Sequence, residues 1–410
     1  MLIQSLLDDY KAKLGLLFIL TMCLRVIAIF IYAWNDGLQF EYAQIAANIV
    51  AGYGYSWDWF GQQPLQPSAA FPPVYAYFIA FFIALFDNPA PIILIAQAMI
   101  NSLGIIPAYL IGKHLGNKSV GLICAIIYAF LPEMIYSNTK MVTEPIAGTL
   151  TLVAIYSYLK IKDTVRPYWS YLILGVYIGL LSLLNASLLL LLPAFIIGLY
   201  YKASAKKNLL KAALLLSIGA IIAISPWIIR NYAVLGKPVF RTTLGYNLWR
   251  GNYPGASGTG RVDPNNKDVI VLNKEYYNYI KTNHPQKEIE IDSFFTAEAV
   301  KFIKARPLRF AGITLKRAVY FITIDPTHPL TKNVFYLGGY LFLLIFGIWG
   351  GIILNRRNKL DLAFILMPLF HLLLYSPVMI LPRYRMILIW VLIILSSVSI
   401  EALLSKLKSR

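Results

Sequence analysis

Two carboxylates and two arginine clusters, held in polar segments between apolar runs, are the residues best suited to chemistry. Glu41 stands in Asn35-Asp36-Gly37-Leu38-Gln39-Phe40-Glu41-Tyr42, and Glu144 in Lys140-Met141-Val142-Thr143-Glu144-Pro145. Arg230 lies in Ser225-Pro226-Trp227-Ile228-Ile229-Arg230-Asn231-Tyr232, and Arg383 and Arg385 flank Tyr384 after Pro382. A carboxylate can take the proton of an attacking hydroxyl. A guanidinium grips phosphate oxygens through paired N–H groups and stabilises the charge on a departing phosphate. This set fits transfer of a group from a phosphate to a hydroxyl.

Each residue also has a plainer reading. Apolar residues at Tyr42, Ile45, Ala46 and Ile49 give helical spacing, so Glu41 falls in a first turn, where an acid also favours the helix dipole. Thr143 and Glu144 precede Pro145, a residue suited to the first helical turn, so Glu144 can equally be an interfacial cap. Arg230 ends an apolar run and can snorkel to a membrane surface. Lys237, Arg241, Arg250 and Arg261 extend its positive strip past Leu244-Gly245-Tyr246-Asn247-Leu248-Trp249-Arg250-Gly251-Asn252. Arg383 and Arg385 meet either lipid head groups or an anionic substrate.

These segments must be positioned by helices in a membrane. The chain has 410 residues, of which 58% are hydrophobic and only 14% charged, against about 25% charged in soluble domains. Ten apolar stretches read as spans: Leu14–Trp34, Pro91–Gly112, Val120–Asn138, Pro145–Ile161, Tyr168–Leu184, Ser187–Tyr201, Leu209–Ile229, Val334–Leu354, Leu360–Met379 and Met386–Leu404. Phe71 to Phe86 is too short to cross and reads as a juxtamembrane helix. The first stretch is too long for a signal peptide and has no cleavage site after it, so it is expected to be a retained anchor.

Loop charge orients the spans. Lys11 and Lys13, Lys113 and Lys118, Lys160, Lys162 and Arg166, Lys202, Lys206, Lys207 and Lys211, Arg356, Arg357 and Lys359, and Lys406, Lys408 and Arg410 fall on one side if ten spans are counted. That side, with both termini, is cytoplasmic. Among the acids only Asp8, Asp9, Asp163, Asp361 and Glu401 join them. All four candidate segments then face outward, at a cell membrane. Three parts are expected: 1–231, containing the first outer loop 35–89; the large outer loop 232–332, in which Phe310 to Ile324 reads as interfacial; and 333–410.

The net charge of +18 follows this loop asymmetry, so no nucleic-acid partner is implied. Cys23 and Cys124 sit in apolar runs and read as small buried hydrophobes. His114, His284, His328 and His371 lack ligand-like spacing. A divalent metal held by carboxylate oxygens is possible, but no cofactor is required. Walker A, GxGxxG and nucleophile-elbow patterns are missing from the sequence.

The ordered motifs resemble those of GT-C type membrane glycosyltransferases, similar to protein O-mannosyltransferases and the lipid A aminoarabinose transferase. The resemblance runs from Phe40-Glu41-Tyr42, Gly52-Tyr53-Gly54-Tyr55-Ser56 and Phe71-Pro72-Pro73-Val74-Tyr75 through Thr143-Glu144-Pro145 and Pro226–Tyr232. It continues to Asn247–Asn252, Ala305-Arg306-Pro307 and Arg383-Tyr384-Arg385. It implies an all-α polytopic GT-C fold and inverting transfer from a polyprenyl-phosphate sugar to a glycan, lipid or protein acceptor. It implies a first-loop acid as general base: relatives carry an Asp or an Asp-Glu pair where this chain has Leu38 and Gln39, which leaves Glu41 first and Asp36 second. Glu144 matches a second family acid. Tyr42, Lys140, Arg230, Asn231, Arg250, Asn252, Arg383, Tyr384 and Arg385 are the candidate substrate-binding residues.

Three other readings stay open: a ligase or polymerase of lipid-linked glycans, a non-enzymatic lipid or solute transporter, and an inactive relative that binds lipid or a partner. Against a transporter, no repeat is visible and charged residues are read as sitting at span ends.

Overall fold

The computed structural model describes residues 10–57, 65–163, 167–202, 206–259 and 288–409. Expectations that fall on Asp8, Asp9, Arg166, Arg261, His284 and Arg410 lie outside these residues, as do those for the side chains of Lys202, Lys206 and Lys207.

In chain order, α1 (Tyr10–Tyr32) leads to α2 (Phe40–Val50), then β1 (Ser56–Trp57) paired antiparallel with β2 (Gln66–Pro67), and α3 (Pro73–Leu85). Next come α4 (Pro89–Leu103), α5 (Ile105–Leu115), α6 (Lys118–Phe130), α7 (Pro132–Ser137), α8 (Glu144–Asp163) and α9 (Trp169–Leu184). A 3-10 turn (Ala186–Leu190) enters α10 (Leu191–Lys202), and α11 (Lys206–Leu235) follows. Then come α12 (Leu244–Gly251), α13 (Glu288–Ala305), α14 (Pro307–Ile322), α15 (Val334–Arg356) and α16 (Ala363–Tyr375). A 3-10 turn (Pro382–Arg385) leads into α17 (Met386–Lys408).

The protein is helical and polytopic. Among the described residues five helices are long and apolar enough to cross a membrane: α1, the continuous α4–α5 unit, α11, α15 and α17 with its preceding turn. Four further apolar stretches coincide with shorter apolar helices, at α6, α9, the Ala186–Tyr201 segment and α16. The stretch beginning at Pro145 is α8, whose 20 residues carry Glu144 at the start and Lys160 and Lys162 at the end.

Several sequence expectations need correction. The stretch 120–138 is broken at Leu131, because Pro132 cannot continue the preceding hydrogen-bond ladder, whereas 91–112 falls inside one continuous span with a single turn residue at Gly104. The all-α expectation meets one small exception, the pairing of Ser56 with Pro67 and of Trp57 with Gln66, which closes the first loop on itself. Not every charge sits at a span end. Arg25 lies in the middle of α1, fully buried, donating to the Asn101 side chain and to the Thr21 and Ala129 carbonyls. Such internal partners are what a guanidinium in an apolar layer needs. Cys124 is buried but Cys23 is exposed, because apolar residues on α1 face outward as well as inward.

α17 is the hub of the packing. From Met386 to Ser399 nearly every residue is buried. At Gly350 of α15 an added Cβ would collide with the Leu395 carbonyl, so the two backbones approach closely at a residue without a side chain. This hub fixes the Pro382–Arg385 turn against the beginning of α8.

Candidate active site

Glu41 enters the site through an unusual backbone step. Gln39 is extended, Phe40 adopts φ +65°, and Glu41 then occupies the first turn of α2. A bulky residue with positive φ is a genuine outlier, and such strain persists only where surroundings impose it. Asp36 goes elsewhere. Its Oδ2 accepts from Gln39 Nε2 at 2.7 Å and lies 3.4 Å from Lys140 Nζ. Glu41 lines the cavity described below, whereas Asp36 and Lys140 do not.

The rest of the first loop is clamped. Gly52 (φ +86°) and Gly54 (φ +69°) turn the chain. The Tyr55 hydroxyl then donates to the Phe71 carbonyl at 2.9 Å. Arg230 Nη2 donates to the Tyr55 carbonyl at 2.8 Å and Nη1 to the Ser68 carbonyl at 2.5 Å, with its guanidinium over the Tyr55 and Trp227 rings. Glu288, at the start of α13, accepts from Ser68 Oγ at 2.9 Å, from Thr242 Oγ1 at 2.6 Å and from the Ala69 N–H. Phe71 and Pro72 are thereby held at the cavity wall. Glu288 was not singled out by the sequence, because its partners Ser68 and Ala69 are more than 200 residues distant along the chain and Thr242 is 46.

The second acid is positioned by two protein partners. Glu144 opens α8, with its side chain only 10% exposed. Arg383 Nε stands 3.8 Å from its Oε1, and Thr143 Oγ1 lies 3.5 Å from its Oε2. Asn185, which caps the Ala186–Leu190 turn, donates to Thr143 Oγ1 at 3.1 Å. Tyr384 stacks on Tyr375 at 4.3 Å between ring centres.

Glu41, Tyr42, Phe71, Glu144, Arg241 and Arg383 share one cavity of about 500 Å³, to which Asn185, Tyr375 and Tyr384 also contribute. Burial pushes the Tyr42 hydroxyl well above its usual pKa, with Arg241 and Arg383 acting against that shift and Glu144 and Glu41 adding to it. Tyr42 is therefore neutral at physiological pH and feels all four charges. Its ring lies 4.9 Å from Phe71 and 5.1 Å from Tyr75. Arg241 donates through Nε to the Ala70 carbonyl at 3.1 Å and lies over the Phe71 ring.

Other candidate residues are placed off this cavity. Arg230 spends its donors on backbone carbonyls, as above, and Asn231 donates to the Val239 carbonyl at 2.8 Å. Asn252 donates to the Leu248 and Pro377 carbonyls and accepts from buried Arg317, which also donates to the Ser376 carbonyl at 3.0 Å. These two staple the end of α12 to the chain after α16. Arg250 lies over Tyr246. Arg385 is buried, donating to the Thr323 carbonyl and the Tyr336 hydroxyl, each at 2.7 Å. Arg383 and Arg385, two residues apart, thus face different partners.

Among the described residues no three His, Cys, Asp or Glu side chains come together where they could hold a metal ion. Glu41 and Glu144 share the cavity, but Glu144 already faces a guanidinium.

Comparison with known proteins agrees with this architecture. Residues 70–229 match the family model described as dolichyl-phosphate-mannose-protein mannosyltransferase. An 89-residue segment is 33% identical to the dolichyl-monophosphooligosaccharide–protein glycotransferase AglB of Haloferax volcanii, covering 20% of this chain and 8% of that protein. The structure of AglB from Archaeoglobus fulgidus, solved with an inhibitory peptide and a dolichol-phosphate, superposes with a TM-score of 0.56 and 15% identity. That match covers 97% of this chain and 51% of that one. ArnT from Cupriavidus metallidurans, solved with undecaprenyl phosphate, gives a TM-score of 0.45 at 10% identity, over 96% of this chain and 78% of that one. The chain spans about half the length of the archaeal oligosaccharyltransferase. The chain is thus similar to GT-C type membrane glycosyltransferases, and its fold is theirs.

Proposed function

We propose that this protein transfers a single sugar from a polyprenyl-phosphate donor to an acceptor hydroxyl at the outer face of the cell membrane, with both termini cytoplasmic. The observation that carries the reading is the shared cavity, in which Glu41 and Glu144 meet Arg241 and Arg383. Glu41 is the base: it takes the acceptor proton as the hydroxyl oxygen attacks the anomeric carbon. The bond from that carbon to the phosphate oxygen breaks in the same displacement, which inverts the anomeric configuration. Arg383 and Arg241 hold the leaving polyprenyl phosphate. Glu144 orients Arg383, and Tyr42 donates a hydrogen bond. No step is assigned to a metal.

Apolar wall residues, including Leu189, Leu190, Leu374 and Met379, suit a lipid chain. A cavity of about 500 Å³ has the size of a small-ligand pocket. It suits one sugar phosphate beside an acceptor group better than an extended glycan. The fold shared with archaeal oligosaccharyltransferases favours a second reading, in which the donor carries an oligosaccharide.

Mass spectrometry of lipids that co-purify with the wild type and with Arg241→Ala, Arg383→Ala protein tests both. A polyprenyl phosphate bearing one sugar, lost in the double variant, supports the first reading, and an oligosaccharide supports the second. Bulk phospholipid alone in both samples removes the support for either.

A further inference from the structure

Beside the main cavity lies a second, much smaller one of about 20 Å³, lined by Glu144, His371, Tyr375, Arg383 and Trp390 among others. Glu144 borders both spaces. The small one is too tight for a substrate but large enough for a single water molecule.

Its lining has unmet hydrogen-bonding capacity. His371 and Trp390 are 1% and 2% exposed, and His371 Nε2 and Trp390 Nε1 have no protein hydrogen-bond partner. Buried polar atoms are ordinarily satisfied. His371 Nδ1 lies 2.8 Å from the Met367 carbonyl. A carbonyl only accepts, so Nδ1 carries the proton and Nε2 presents a lone pair. The indole Nε1 can only donate.

Glu144 is underfilled as well. Its side chain is 10% exposed, and its protein partners are a guanidinium nitrogen at 3.8 Å and a hydroxyl at 3.5 Å. Both distances lie beyond a good hydrogen bond. Among the groups that border this one-molecule space, the indole offers an unmet donor, and the imidazole and the carboxylate offer unmet acceptors. Water matches that pattern: it accepts from the indole and donates to the imidazole and to the carboxylate.

Gly148, one turn past Glu144, fits the same arrangement. A Cβ there would lie 3.2 Å from the indole, Nε1 included. The glycine lets the indole pack against the face of α8 that carries Glu144.

We propose that a buried water at this point links Glu144 to His371 and Trp390, which makes these two apolar-layer residues positioning residues for the cavity carboxylate. The water fixes the carboxylate from the small cavity, and Arg383, which lines both spaces, meets it as well. The effect on turnover rests on the transferase reading; the water site does not.

The test is a map of the full-length protein in lipid nanodiscs at a resolution that shows ordered water, followed by kinetics of four variants. Density within hydrogen-bonding distance of Glu144, His371 Nε2 and Trp390 Nε1 is expected. Direct contacts among these side chains, with no density between them, overturn the proposal whatever the activity. Density in a wild-type protein without transferase activity retains the water site and ends the transferase reading instead. In an active protein, His371→Leu and Trp390→Phe are expected to lower kcat on the order of tenfold with donor KM unchanged, and His371→Gln, which restores an acceptor, to recover most of it. Gly148→Ala is expected to lower kcat as Trp390→Phe does. Equal losses in His371→Leu and His371→Gln, in protein of wild-type thermal stability, overturn the positioning role.

Discussion

Arg383 Nε stands 3.8 Å from Glu144 Oε1, and this pair joins the turn before α17 to the first residue of α8. The two lie far apart in the sequence, in its first and second halves, so the site exists only when the helical bundle has closed around α17. Arg383 is the more exposed partner, with its side chain 48% accessible. It is therefore placed to meet a ligand that Glu144 alone would repel.

Removing the base separates the two first-loop acids. Glu41→Gln keeps the shape but cannot take a proton, so kcat is expected to fall by about 100-fold or more, with donor KM nearly unchanged. Asp36→Asn, at the Lys140 pair outside the cavity, is expected to stay within a few-fold of wild type. Single-turnover transfer from a labelled lipid-phosphate sugar makes the comparison, and full activity in Glu41→Gln would remove Glu41 from the mechanism.

The arginines separate by role. Arg383→Ala and Arg241→Ala are each expected to weaken polyprenyl-phosphate binding by about 10-fold or more, and Arg383→Lys to recover only part of it, since lysine cannot grip an anion through two N–H groups. Arg230→Ala leaves the Tyr55 and Ser68 carbonyls without their donor. It is expected to cost about 2 kcal/mol of stability without a selective loss of phosphate binding. Thermal melting and lipid-phosphate titration of the same samples check this. A stable Arg230→Ala protein that no longer binds the lipid phosphate would move Arg230 into the site.

Glu288 has the same character. Glu288→Ala leaves Ser68, Thr242 and the Ala69 N–H short of an acceptor, for an expected loss of about 3 kcal/mol. Hydrogen exchange should locate the loosening at residues 65–72. Unchanged protection there would contradict the clamp.

Asp292 predicts a pH effect in the segment between α11 and α15. Its Oδ1 accepts from the Gly245 and Tyr246 N–H groups at 2.7 and 3.2 Å, yet burial lifts its carboxyl from the ordinary 3.8 to about 6. The folded state thus holds its proton more tightly than the unfolded state. The stabilisation is full below about pH 4 and is lost as pH rises through about 6, with a span of about 2 kcal/mol after allowance for partial exposure. Asp292→Asn keeps an acceptor for both N–H groups and should flatten the dependence, so that it melts higher than wild type at pH 7 but not at pH 4. Parallel melting curves at both pH values would show that Asp292 does not titrate this way.

Divalent-ion chelation supplies a fifth check. Because Glu144 faces Arg383, EDTA is expected to leave turnover unchanged. Loss of activity restored by a divalent cation would require the acids to be re-read as ligands.

The sequence alone determined the helical membrane architecture and the four segments that carry the charge, since the bilayer forces long apolar runs and leaves polar residues few places to sit. It also picked out Glu41 and Glu144, because an acid opening a helix is visible locally. It could not rank the arginines. Arg230, Arg383 and Arg385 look alike at span ends, and only the folded chain shows that Arg230 and Arg385 are occupied by backbone carbonyls and a tyrosine hydroxyl while Arg383 faces the cavity. Arg241 read as one member of a positive strip and became a wall of the site through the Ala70 carbonyl. Glu288, Arg317 and His371 were illegible as participants, because each acts through partners distant in the chain or borders a space that no spacing rule reveals. A guanidinium or carboxylate takes its role from what it meets after packing, and tertiary structure alone decides that meeting.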